Sequence, residues 1–259
     1  MSHRESKIKV RDITVTLKRG GEGDPVLFLH GNGGLRHWLP FFDSMADGYE
    51  FFAPEHPGYD GSDDPPWIRN VPDVAMFYLD FLEVMNLRKV HIIGVSLGGW
   101  IAAEILVRDC SRAKSVTLVA PAGIRVPGIE TGDLFIWNHE ESVRNTYHDQ
   151  SQADTQLAQQ PTDEQVEINI KNRFTTTKLA WQPRMFNPDL EKWLHRIKVP
   201  ALVVWGENDK LMPPAYAALW GERLPDARVV MIKDCGHLPV REKEPETSRI
   251  VRQFLKGVG

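Results

Sequence analysis

A serine framed by glycines, Gly94-Val95-Ser96-Leu97-Gly98-Gly99, has the G-x-S-x-G spacing that suits nucleophilic attack by a side-chain hydroxyl. Small residues two before and two after the serine let the backbone turn more sharply than side chains would permit, so the hydroxyl projects clear of its neighbours. The plainer alternative makes Ser96 a helix N-cap only. A serine hydroxyl is a weak nucleophile at neutral pH; it requires a base within hydrogen-bond reach and an acid that holds the tautomer of the base. Downstream, Trp205-Gly206-Glu207-Asn208-Asp209-Lys210 offers Asp209, and Asp234-Cys235-Gly236-His237-Leu238 offers His237, which gives the chain order serine, acid, histidine. Glu207 competes for the acid role but lies nearer its strand. Asp234 competes too, although three residues before His237 it is better suited to support that loop. The oxyanion formed by attack on a carbonyl needs backbone N–H donors. Leu97 supplies one, and His30-Gly31-Asn32-Gly33-Gly34 resembles an H-G-x turn in which Asn32, or else Gly33, supplies the other.

These residues act together only if the fold brings positions 96, 209 and 237 to one place. Apolar runs at 25–30, 49–54, 89–96, 114–121 and 199–206 each end in Gly, Pro or polar residues and read as buried strands; ARVVMI at 227–232 is a further apolar run. Helical patterns lie between them, at 72–86, 97–109 and 213–223, with a last one near 244–256. Alternating strands and helices imply a parallel sheet covered on both faces, with its site at the strand C-terminal ends. Ser96, Asp209 and His237 all fall there. ITVTLKRGG at 13–21 alternates with period two and reads as an antiparallel edge strand that turns back through GGEGD at 20–24.

The alternation breaks over 122–195, which reads as a helical insertion into a core formed by 1–121 and 196–259. Its aromatics Trp137, Tyr147, Phe174, Trp181 and Phe186 are too many for a solvated linker, so they are expected to pack on the core or line a cavity. His3, His91, His139, His148 and His195 read as surface or structural residues.

Composition narrows the function classes. A net charge of −4, with no basic run, argues against nucleic-acid binding. No apolar stretch approaches the length of a membrane span, and charges are scattered where a signal peptide would need an apolar run. Cys110 and Cys235 have neither zinc-site nor disulfide-framework spacing, so no metal is expected and a reducing cytoplasm is the default compartment. The turn at 30–34 lacks the spacing of a phosphate loop, so no nucleotide or other cofactor is expected.

HGNGG at 30–34, PEHPGYDGSD at 54–63, GVSLGG at 94–99, WGENDK at 205–210 and CGHLPVREKEP at 235–245 together resemble the α/β-hydrolase family along nearly the whole chain. The resemblance implies a mostly parallel eight-stranded sheet with a helical cap after the sixth strand, Ser96 as nucleophile, Asp209 as acid and His237 as base. It further implies a small-molecule acyl substrate and water as reactants, in a monomer or homodimer. The flavour is that of carboxylesterases and of hydrolases that cleave carbon–carbon bonds in ring-fission products of aromatic degradation. The carbon–carbon enzymes typically carry Asn before the nucleophile and Met after it, where this chain has Val95 and Leu97. They also grip a substrate carboxylate with a cap arginine; Arg125, Arg144, Arg173 and Arg184 are available, none singled out by spacing. Glu55 replaces the usual Asp after the fourth strand and reads as structural. A ligand receptor or perhydrolase on the same scaffold is the remaining alternative.

Overall fold

The computed structural model describes residues 3–258. One sheet contains β1 (His3–Val10), β2 (Ile13–Gly20), β3 (Asp24–Leu29), β4 (Tyr49–Pro54), β5 (Val90–Val95), β6 (Ala113–Val119), β7 (Ala201–Gly206) and β8 (Ala227–Ile232). Their order across the sheet is β1-β2-β4-β3-β5-β6-β7-β8. β1 and β2 pair antiparallel, as do β2 and β4, and every other pairing is parallel. The expected eight-stranded, mostly parallel architecture is therefore present. Successive residues of the central strands enter different cores, because side chains alternate across a sheet. Leu27 and Leu29 pack with α2 (Val71–Val84) and α3 (Leu97–Arg108) on one face; Val26 and Phe28 pack with α1 (Pro40–Ala46) and α9 (Glu244–Gly257) on the other.

Two expectations are corrected. The strand at 13–20 is not an edge, because β1 covers it over the register His3↔Gly20 to Val10↔Ile13. The charged sequence HRESKIKV of β1 gives no apolar signal, since most of this strand is exposed. The chain does reverse after Gly20, but β2 pairs with β4 rather than with β3, so GGEGD does not close a hairpin. Glu55 is buried, as a structural role requires. Lys18 Nζ lies 2.9 Å from Glu55 Oε1, and the Gly61 N–H donates to Oε2 at 2.9 Å. Burial alone would lower the Lys18 pKa; bonds to Glu55 and Glu5 outweigh it, and the ammonium is held above its ordinary range.

Between β6 and β7 come α4 (His139–Thr146), α5 (Gln150–Leu157), α6 (Asp163–Ala180) and a 3-10 helix at Glu191–Arg196. Local polar signals start the three α-helices. Asn138 with Glu141 and Thr162 with Gln165 form reciprocal capping boxes, and the Asp149 side chain accepts from the Ser151 N–H. The aromatics divide. Tyr147 is buried and Trp137 packs against the core, but Phe174 is 64% exposed and Trp181 43% exposed. The expectation that all five face inward is corrected for these two. Helix α6 turns Asn172, Thr175 and Thr176 inward, while Val166, Ile170 and Phe174, at every fourth residue, form an outward stripe. Among the described residues no helix is long and apolar enough to cross a membrane.

Candidate active site

β5 is buried at every position and delivers the chain to Ser96, whose φ of 54° and ψ of −116° lie outside the regions open to most side chains. Surrounding backbone holds this strained turn in place. The Ser96 N–H donates to the Val119 carbonyl at 2.9 Å, and the Ser96 carbonyl accepts from the N–H groups of Gly99, Trp100 and Ala122 at 3.0, 3.1 and 3.2 Å. Gly98 shows why the motif needs glycine: a Cβ there would stand 2.0 Å from the Leu29 carbonyl oxygen. The first turn of α3 lies against the end of β3 at backbone contact distance.

Beyond β7, the Asp209 carboxylate is held by two backbone donors, Leu211 N–H at 2.9 Å and Met212 N–H at 2.8 Å, both to Oδ1. Its Oδ2 lies 2.7 Å from His237 Nδ1, and His237 Nε2 lies 2.9 Å from Ser96 Oγ. Since a carboxylate accepts, the imidazole carries its proton on Nδ1 and turns an unprotonated Nε2 to the serine hydroxyl. All three residues are buried. The competing acids are elsewhere: Glu207 is exposed, and Asp234 occupies a turn with φ 49°, its carboxylate 80% exposed and 3.8 Å from His148.

The loop 30–35 runs beside the serine; a Cβ on Gly31 would lie 3.5 Å from Ser96 Cβ. Asn32 is half-buried and follows it, while Leu97 is buried at the first position of α3. Sequence reasoning missed what holds this loop. The His56 N–H donates to His30 Nε2 at 2.9 Å, so His30 is protonated on Nδ1, which donates to the Gly31 carbonyl at 2.7 Å. His56 Nε2 donates to the His30 carbonyl at 2.9 Å, and its Nδ1 accepts from the Tyr78 hydroxyl at 2.5 Å. The two rings stack 3.6 Å apart. Burial lowers both pKa values, that of His56 well below the ordinary range, so both rings are neutral. The motifs HGNGG and EHPGYDG contain the pair, but nothing in the sequence states that they meet.

The segment between β6 and β7 meets the loop that carries His237. The His237 N–H donates to the Thr146 carbonyl at 2.8 Å. Buried Glu242 joins the same loop to α5, accepting from Gly236 N–H at 2.7 Å and Asp149 N–H at 2.6 Å. The Cys235 thiol beside it is pushed up to about 12 by burial, with the Glu242 carboxylate adding to the shift. A cleft of about 500 Å³ lined by His148, Gln150, Glu207, Asn208 and Lys210 opens onto Asp209 from outside. A cleft of about 710 Å³ lies beside α3, between Trp100, Phe186 and Trp193, and does not include the three buried polar residues. Among the described residues no cluster of three or more His, Cys, Asp or Glu side chains could hold a metal ion.

A hydroxyl, a correctly turned imidazole and a carboxylate in this chain of bonds can carry out nucleophilic acyl chemistry. Residues 26–248 match the alpha/beta hydrolase family. The chain belongs to this family. Lipase 3 of Moraxella sp. is 26% identical to it over 248 residues, which cover 91% of this chain and 78% of the lipase. The 2-hydroxy-6-oxo-6-phenylhexa-2,4-dienoate hydrolase of Comamonas testosteroni is 24% identical over 276 residues, covering 97% and 94%. A solved bacterial membrane phospholipase A superposes with a TM-score of 0.82 at 26% identity, covering 99% of this chain and 86% of its own. Across eight curated relatives the chain spans from 66% to 94% of their length. As an alpha/beta hydrolase it has both ester hydrolases and carbon–carbon hydrolases among its relatives.

Proposed function

We propose that this alpha/beta hydrolase is a cofactor-independent serine hydrolase of carboxylic esters or similar acyl compounds, with residues 122–195 acting as its cap. The observation that carries the reading is the buried bond chain from Ser96 Oγ through His237 to Asp209. Ser96 Oγ attacks the substrate carbonyl as His237 Nε2 takes its proton, and Asp209 holds the ring and stabilises the imidazolium. The backbone N–H groups of Leu97 and Asn32 receive the oxyanion. The tetrahedral species collapses with loss of the alcohol, protonated by His237; water activated by the same imidazole then releases the acid and restores the serine.

The state of the insertion arginines favours esters over acidic ring-fission products. Arg125 donates to Thr131 and to the Arg184 carbonyl, and its guanidinium lies over the Phe186 ring. Arg144 pairs with Glu140 and Asp154. Arg173 donates to the carbonyls of Leu134, Phe135 and Trp137, and Arg184 pairs with Asp133 while stacking on Trp181. A substrate carboxylate would have to displace contacts already made. Carbon–carbon cleavage is the second reading, favoured by the length and coverage of the match to the Comamonas enzyme.

Fluorophosphonate labelling read by intact mass tests the proposal. Stoichiometric labelling of the folded protein, lost in Ser96→Ala, is expected, together with turnover of chromogenic esters. Absence of labelling in the folded wild-type protein would overturn it. Faster turnover of a vinylogous diketone acid than of any ester, lost on one arginine substitution, would move the assignment to the second reading.

A further inference from the structure

Ahead of Leu179 and Ala180, which enter the apolar core, the inward face of α6 is polar, and its bonds converge on two loops of the core. Asn172 stands at their centre, 3% exposed, facing Asp60 at 6%. Asn172 Oδ1 accepts from the Asp60 N–H at 2.8 Å, and Asn172 Nδ2 donates to Asp60 Oδ1 at 2.8 Å and to the Gly33 carbonyl at 3.4 Å. The remaining carboxylate oxygen of Asp60 accepts from the Leu35 N–H at 2.5 Å. Asp60 itself has a φ of 45°, and Gly34 between the anchored positions has a φ of 79°. No side chain fits there: a Cβ on Gly34 would stand 2.4 Å from Asp60 Oδ2 and 2.5 Å from Asn172 Nδ2. Lys171 Nζ adds bonds to the carbonyls of Asp60 and Ser62 at 2.8 and 2.9 Å.

The loop 30–35 is therefore held at both ends. The His30–His56 pair grips its start within the core; at its other end Asp60, also in the core, holds Leu35, and Asn172 from the insertion holds Asp60 and Gly33. Asn32 lies between the two grips. The geometry points to Asn172 as a positioning residue: through Asp60 it sets where the Asn32 N–H stands relative to Ser96, so the oxyanion site is complete only while α6 is docked. This inference rests on the serine-hydrolase reading and extends it, because it makes the insertion part of the catalytic apparatus as well as a cover. Oxyanion donors act by preorganisation, and a displacement of about 1 Å far from the reacting atoms can cost about 100-fold in rate.

The test compares the wild type with Asn172→Ala, Asn172→Asp and the swap Asp60→Asn/Asn172→Asp, measuring kcat and KM on a chromogenic ester. Rates are normalised to serines titrated by fluorophosphonate, so that misfolded protein does not count. Hydrogen exchange of residues 31–35 is followed in parallel. The expected result is a loss in kcat of about 10- to 100-fold in Asn172→Ala and Asn172→Asp, with KM within about twofold and faster exchange at 33–35. In the swap, the amide introduced at position 60 donates to the carboxylate introduced at position 172 and its carbonyl still accepts from the Leu35 N–H, so the contact between the two side chains is restored with reversed polarity while the Gly33 carbonyl stays without its donor; kcat is expected to recover above that of Asn172→Asp. A normal kcat per titrated serine in Asn172→Ala, unchanged exchange, or a swap no better than Asn172→Asp overturns the positioning role while leaving the hydrolase standing. A folded wild type that takes no label overturns both.

Discussion

The turn between β5 and α3 and the helix α6 both border the site, yet they are held by opposite means. At the turn every residue from Leu97 to Val107 is buried, and the geometry of Ser96 is enforced by backbone lying against backbone at Gly98. At α6 only the last turn enters the apolar core, through Leu179 and Ala180; Val166, Ile170 and Phe174 face outward, and the rest of the inner face docks through hydrogen bonds: Thr175 Oγ1 to the Gly58 carbonyl at 2.7 Å, Thr176 to the Tyr59 hydroxyl at 2.8 Å, and the Asn172–Asp60 pair. Close packing tolerates no added atom. Hydrogen bonds exchanged with water contribute only about 0.5–1.5 kcal/mol each. Ser96 is thus placed by a contact that cannot yield, and α6 by contacts that can be traded one at a time.

The comparison is sharpened most by Asp209→Asn, which alters a group held only by core loops. It is expected to lower kcat about 10³- to 10⁴-fold by favouring the wrong imidazole tautomer, with little change in melting temperature. A loss under tenfold would show that another group completes the bond chain. Gly98→Ala should cost at least about 3 kcal/mol in urea unfolding, since neither backbone segment can give way. Thr175→Val, at the α6 contact, should cost about 1–2 kcal/mol. Equal losses at the two positions would erase the difference between the two regions.

The last expected effect is on acid stability. Burial lowers the pKa values of His30 and His56 and brings His91 down to about 4. Below about pH 6.5 the unfolded chain takes up protons at these positions and the folded chain does not, so stability falls as pH drops, by up to about 1.4 kcal/mol per unit for each histidine. All three lie in the core, and His91 lies away from the serine, bonded through Nδ1 to Ser115 at 2.7 Å. His91→Asn should flatten the slope between pH 6.5 and 4 by one histidine's share; an unchanged slope would remove His91 from the account.

The legible and illegible parts divide along the same line. The central strands β3 to β7, α2, α3, α7 (Ala215–Arg223) and α9 announce themselves because burying both faces of a parallel sheet demands continuous apolar runs. Strand β1 and helix α6 do not: the first is largely exposed, and the second has its apolar period turned to solvent. The capping boxes at 138–141 and 162–165 were signals that could have located α4 and α6. Asn172 offered none, being one polar residue among many in a polar helix.

By itself the sequence determined the family, the strained serine turn and the order of serine, acid and histidine. Each follows from residues whose chemistry depends on local spacing, as glycines around a turn do. Only the tertiary structure decided that Asp209 rather than Glu207 or Asp234 meets His237, that the four arginines are occupied, and that Asn172 meets Asp60. Those outcomes depend on distances between residues far apart in the chain. Local spacing carries no record of them, because hydrogen-bond partners are chosen by the packing of the sheet and the docking of α6.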